Sequence, residues 1–358
     1  MSDGLEIRPV PGIGDVRPGD DLVALIAAAA PWLRDGDVVV VTSKIVSKAE
    51  GQLVDVPAGG PAREAAREEY LAAETARPVA RRGHTRIVQT HHGFVLASAG
   101  IDTSNVDRSQ LVLLPKDPDA SARSLRAGLL ERCGVQVAVI ISDTMGRPWR
   151  NGLVDVALGA AGLESIRDHR GEIDPYGNEL HITQMAVADE LASAAELVKG
   201  KCDQVPVAVV RGWGRVTADD GPGAAVLIRA AEQDLFSLGA AEARQAGLRE
   251  AAELADAPGF GPVDHADLDA AVAGVLARLP APAGTRVRVL TTAELAAVPD
   301  RPEPTGLGIA AEATGPDPSI ALGGWLHRVR CALAADGLAS NWLPASGVLA
   351  VGGPLSGR

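Results

Sequence analysis

The stretch Asp35-Gly36-Asp37-Val38-Val39-Val40-Val41-Thr42-Ser43-Lys44 decides the fold. Four consecutive β-branched residues after a glycine turn read as a strand covered on both faces, because a strand with one wet face alternates apolar and polar residues. Such strands belong to α/β proteins, which place binding groups where the strands end. Two more apolar strands are expected at Val135–Ile141 and Val205–Val210. The first enters Ser142-Asp143-Thr144-Met145-Gly146 and the second Arg211-Gly212-Trp213-Gly214.

Helical patterns lie between these strands. Asp20–Leu33 carries Leu22, Leu25 and Ile26 at helical spacing with Gly19-Asp20 as its cap. A charged, alanine-rich helix is expected over Arg63–Glu74 with a break at Arg77-Pro78, and further helices over Ala186–Leu197 and Ala224–Ala231. After Gly239 the chain turns rich in Ala, Glu and Asp, with Pro258, Pro262, Pro280 and Pro282 as punctuation. A strand at Arg286–Leu290, a Pro/Gly-rich loop at Asp300–Pro318 and a helix at Ile320–Gly337 follow. The expected domains are therefore 1–240 and 241–358, within an α/β (α+β) class.

Hydrophobic residues at 46% of 358 suffice for a sizeable core. A net charge of −12, with no basic stripe, speaks against binding nucleic acid. An anionic ligand then needs a local basic or metal-filled pocket. Cys133, Cys202 and Cys331 lie far apart, as free thiols in a reducing compartment would. The start of the chain has no basic segment leading into an apolar run, and no apolar run reaches the ~20 residues of a membrane span. A cytoplasmic location away from membranes is expected.

The chemistry gathers in a few short segments. In Ser98-Ala99-Gly100-Ile101-Asp102-Thr103-Ser104-Asn105 a carboxylate is followed three residues later by an amide. Asp143-Thr144 adds a second carboxylate and a hydroxyl. Oxygen donors of this kind suit a hard cation, Mg²⁺ or Mn²⁺, although an Asp at a strand end also reads as a turn former and Asn105 as an Asx-turn. Ser43, Lys44, Ser47 and Lys48, in a strand-end loop, offer hydroxyls and ammonium groups to phosphates. No Walker A pattern is present. Pro11-Gly12-Ile13-Gly14-Asp15 is a glycine turn with free amides. Arg147 and Arg150, with Asn151, sit close in sequence to Asp143 and read either as clamps for an anionic substrate or as surface ion-pairing groups. The histidines show no zinc spacing.

Taken together, these blocks resemble the coenzyme F420-0:L-glutamate ligase family over about Ile7 to Arg229. The segments 35–48, 100–105 and 142–150 carry the likeness, along with Asp189-Glu190-Leu191-Ala192-Ser193-Ala194-Ala195-Glu196-Leu197. The resemblance implies a GTP-dependent ligase that activates the terminal carboxylate of F420-0 as an acyl phosphate and joins L-glutamate to it, with further glutamates added to F420-1. It implies Asp102, Asp143 and Thr144 as ligands of Mg²⁺ or Mn²⁺, brings K⁺ as an accompanying ion, and places Ile13, Gly14, Asp15, Val16, Ser43, Lys48 and Asn105 on the nucleotide. A remaining contact falls near Asp219-Asp220-Gly221. It also implies the F420:glutamate ligase fold and a homodimer.

Ala321 to Trp342 resembles a helix of the FMN-binding nitroreductase domain that actinobacterial relatives carry. The stretch after Gln245 is well short of that domain, and no Arg-Arg-Ser-x-Arg phosphate motif opens it. A shortened, degenerate domain without FMN is expected. Three other readings compete: a metal-dependent phosphoesterase, which releases phosphate without glutamate; a non-catalytic nucleotide-binding relative, which would have a broken metal set; and a flavin-linked reductase.

Overall fold

The computed structural model describes residues 4–104, 106–201, 203–252, 254, 265–298, 306–314, 319–343 and 346–353. The chain forms two compact units, Met1–Glu242 and Ala243–Arg358.

The first unit begins β1 (Glu6–Val10), α1 (Leu22–Ala29), β2 (Val38–Thr42), α2 (Ser43–Ala49), β3 (Leu53–Asp55) and α3 (Gly60–Glu74). Next come β4 (Thr75–Arg82), β5 (Thr85–Thr90) and β6 (Val95–Ala97), a small antiparallel sheet, and then β7 (Gln110–Val112), which pairs with β3. After α4 (Pro118–Cys133) the chain makes the long hairpin β8 (Ala138–Arg147) and β9 (Arg150–Ala161). The short pair β10 (Arg167–Asp168) and β11 (Gln184–Met185), α5 (Val187–Lys199) and β12 (Val207–Arg211) complete the unit.

Its main sheet has the order β1-β12-β2-β8-β9. Only β2 and β8 run parallel; the other neighbours are antiparallel. Val39, Val41, Val139 and Ile141 pack on one face with Ile26 of α1 and Leu125 and Leu129 of α4. Val38, Val40 and Ile140 pack on the other with Leu191 and Ala195 of α5. Helices on both faces are why the valine run of β2 is continuous instead of alternating. Gly159 of β9 lets the start of α4 close in: a Cβ there would lie 2.1 Å from the carbonyl oxygen of Pro118.

α6 (Ala240–Ala252) includes the boundary between the units. The second unit holds α7 (His265–Arg278), β13 (Thr285–Leu290), α8 (Thr292–Ala296), β14 (Leu307–Ala313), α9 (Ser319–Ala335), β15 (Ala339–Leu343) and β16 (Val348–Gly352). Its antiparallel sheet, β13-β14-β16-β15, packs against α7 and α9 around Trp325.

Several expectations are corrected. The strand expected to end at Ile141 runs on to Arg147, because β9 pairs with it as far as Arg147↔Arg150 and supplies partners that a polar sequence does not announce. The loop expected after Thr42 is α2, which puts Lys44 and Lys48 four residues apart on one helical face. Ala224–Ala231 is two 3₁₀ turns, Ala225–Leu227 and Ala231–Gln233, since Ile228 between them is extended and packs individually against Gly93. Part of the expected loop Asp300–Pro318 is β14, whose Leu307, Ile309 and Ala311 alternate inward; residues 300–305 and 315–318 lie outside the described residues.

Candidate functional site

A cavity of about 1390 Å³ opens in the first unit beside α2, β8 and the chain that follows α5. Asp102 enters it after an unusual turn. Ser98, Ala99 and Gly100 are all left-handed, with φ of 52°, 54° and 72°. Left-handed backbone costs a non-glycine residue about 1–2 kcal/mol, and here it is held by burial of Ala99 and by Arg67 donating to Ser98 Oγ at 2.9 Å. The turn delivers Asp102 to an isolated bridge with Val112. Its Oδ1 accepts the Ser104 N–H at 2.7 Å, and its Oδ2 accepts from Lys44 Nζ at 2.7 Å. Burial works to raise the Asp102 pKa, but Lys44 and Ser104 outweigh it and hold the carboxyl below its ordinary value.

Asp143 has the opposite balance. It lies within β8 and accepts the Thr144 N–H at 2.7 Å. Burial, and then the charges of Asp102 and Asp155, push its pKa up to about 6. The two sequence-expected acids are thus close enough to repel each other. Thr144 Oγ1 donates to Asp155 Oδ1 at 2.7 Å and accepts from Lys201 Nζ at 2.5 Å. Asp155 is buried against Lys199, whose Nζ lies 2.8 Å from Oδ2. Burial drives the Asp155 pKa upward, yet the Lys199 charge and the hydroxyls hold it low.

The donor set fits a hard divalent cation. A crowded carboxylate pair gains from a positive charge between its members. Among the described residues no three acidic, histidine or cysteine groups cluster as metal ligands. Two carboxylates and the neighbouring Thr144 hydroxyl would leave the rest of the shell to water and phosphate oxygens, which is the habit of Mg²⁺.

The other sequence-expected residues divide. Gly14, Asp15, Val16 and Lys48 line the same cavity, and Lys48 Nζ donates to Asp15 Oδ1 at 2.8 Å. Ile13 and Ser43 are buried and are not among its lining residues. Asn105 lies outside the described residues. Arg147 and Arg150 stand exposed at the tip of the β8–β9 hairpin and do not line the cavity. An extended strand carries the chain ~3.3 Å per residue, so four residues put Arg147 about 13 Å from Asp143. Asp219 and Asp220 also stay outside the lining; Asp220 pairs with Arg126 at 2.8 Å.

The sequence reading missed Asp155, Glu196, Lys201 and Gln204, all of which line the cavity. Asp155 sits in the polar-looking strand β9, and only the register Thr144↔Asp155 brings it to the site. Gln204 has φ 55°, a left-handed kink between α5 and β12 that no residue type signals.

The profile of the F420-0:Gamma-glutamyl ligase family matches residues 12–212. The chain belongs to this family. Three curated relatives are each named coenzyme F420:L-glutamate ligase. That of Methanothermobacter thermautotrophicus is 44% identical over 252 residues, covering 65% of this chain and 99% of the relative. Those of Methanopyrus kandleri and Haloarcula marismortui are 43% and 42% identical, covering 65% and 64% of this chain and 97% and 95% of theirs. The family match lies wholly within the first unit, as does the cavity. Among the described residues no helix is long and apolar enough to cross a membrane.

Proposed function

We propose that the first unit joins L-glutamate to the terminal carboxylate of F420-0, and further glutamates to F420-1, at the expense of GTP. The observation that carries this reading is the half-buried Asp143 crowded by Asp102 inside a cavity large enough for a nucleotide and an acceptor carboxylate. The names of the relatives supply the acceptor and the amino acid.

Asp102 and Asp143 would hold Mg²⁺ or Mn²⁺, with Thr144 Oγ1 as a third donor; the ion would offset charge on the transferring phosphoryl group. An oxygen of the acceptor carboxylate attacks the γ-phosphorus, the bond to the β–γ bridging oxygen breaks, and GDP leaves. The glutamate amine then attacks the acyl carbon of the resulting acyl phosphate, the carbon–oxygen bond to phosphate breaks, and the amine's proton passes to solvent. Lys48, set by Asp15, and Lys201, set by Glu196 at 2.6 Å, offer ammonium groups to the phosphates. K⁺ would accompany the divalent ion. Asn105 and the backbone at 13–16 are read as nucleotide contacts.

The arm that contains β10 and β11 exposes Ile173, Tyr176 and Ile182, which supports a homodimer in which this arm is covered. Residues 241–358 are read as a nitroreductase-like domain without FMN.

The test is incubation of the full chain with F420-0, L-glutamate, GTP and Mg²⁺ or Mn²⁺, followed by product masses. A glutamylated product that requires both glutamate and GTP is expected. Phosphate release that is indifferent to glutamate would establish the phosphoesterase reading instead.

A further inference from the structure

Asp155 is 2% exposed, and both of its oxygens are engaged. Oδ1 accepts from Thr144 Oγ1 at 2.7 Å, while Oδ2 accepts from Ser142 Oγ at 2.9 Å and from Lys199 Nζ at 2.8 Å. Lys199 is 1% exposed; its Nζ also donates to Ser142 Oγ at 2.8 Å and lies 3.3 Å from Glu196 Oε2. An ion pair this deep is a weak source of stability, because desolvation offsets the attraction. Its geometry does something more specific. A carboxylate only accepts and a hydroxyl has a single proton. Thr144 therefore directs its proton to Asp155 and turns its lone pairs elsewhere. One lone pair already takes a cationic donor, Lys201 Nζ at 2.5 Å, from a side chain that is 61% exposed and also paired with Glu196 at 2.6 Å.

We propose that the buried Asp155–Lys199 pair is a positioning element that fixes Thr144 Oγ1 as an oxygen donor toward the divalent cation. Asp155 borders the cavity, but both of its oxygens are committed to protein donors, so the pair acts through Thr144. Lys199 keeps the buried carboxylate compensated, and the Thr144↔Asp155 register of β8 and β9 aims it. The inference rests on the reading of Asp102 and Asp143 as cation ligands.

The test is Mn²⁺ binding to the full chain, followed by the electron paramagnetic resonance of free Mn²⁺, alongside thermal melting. Asp155→Leu/Lys199→Met removes both buried charges and the acceptor of the Thr144 proton together, with no change in net charge. It is expected to weaken Mn²⁺ binding by about 10–100-fold, the usual effect of losing an outer-shell partner. Thr144→Val is expected to weaken it comparably, and the triple variant no further, because Asp155 acts through Thr144. Ser142→Ala, which cuts another bond to the same carboxylate, is expected to leave affinity unchanged. Should the double variant not fold, Asp155→Leu alone serves, since it removes the acceptor and Lys199 keeps Glu196. Wild-type affinity in the Asp155 variants, or losses that multiply in the triple variant, would overturn the inference. Mn²⁺ binding that ignores Asp143→Asn would instead overturn the cation reading, and this inference with it.

Discussion

Asp143→Asn separates what the carboxylate does to the fold from what it does for the cation. The asparagine keeps the shape, and its Oδ1 can still accept the Thr144 N–H. The folded-state pKa of Asp143 is raised from 3.8 to about 6, by burial first and then by Asp102 and Asp155. Its sign follows from linkage: between those values the folded chain binds the proton more tightly than the unfolded chain does. The contribution to stability is complete below 3.8 and is lost as pH rises through about 6. A difference of roughly two pKa units is worth up to ~3 kcal/mol. Cation-free Asp143→Asn at neutral pH is therefore expected to be more stable than wild type by up to that amount, a rise in Tm of several degrees. The gap is expected to close as the wild type is acidified below about 6. Added Mn²⁺ is expected to stabilise the wild type, increasingly as pH rises through the same value, and to leave the variant unmoved. Melting curves across that pH range, with and without Mn²⁺, read both effects. A variant less stable than wild type at neutral pH without cation, or stabilised equally by Mn²⁺, would refute the reasoning.

Arg211→Met strands Asp37, which now receives Arg211 at 2.8 and 2.7 Å; a loss of about 3–5 kcal/mol is expected in urea unfolding, largely recovered in Asp37→Asn/Arg211→Met. Gly159→Ala drives a Cβ to 2.1 Å from Pro118 O, so backbone must shift, and a cost of about 1–3 kcal/mol is expected. Arg147→Ala and Arg150→Ala, at the exposed hairpin tip, are expected to leave GTP and Mn²⁺ affinities unchanged in titration calorimetry; loss of either would place the tip in the nucleotide site. The purified full chain is expected to lack the visible absorption of a bound flavin, and a stoichiometric flavin band would restore the reductase reading.

The part of this protein legible in sequence is the part set by local periodicity and contiguous motifs. Val38–Val41 is legible as a strand covered on both faces, and Asp20–Leu33 and Ala186–Leu197 as helices. The segments holding Asp102, Asp143 and Lys48 advertised oxygen donors and an ammonium group before any coordinates. Tertiary structure alone decided which of them meet. Strand pairing carried β8 past Ile141, moved Arg147 and Arg150 away from Asp143, and brought Asp155 opposite Thr144. A left-handed turn of three residues, two of them ordinary ones, aimed Asp102. These choices depend on partners far away in the chain, and a residue's own side chain does not record which partner its backbone will find.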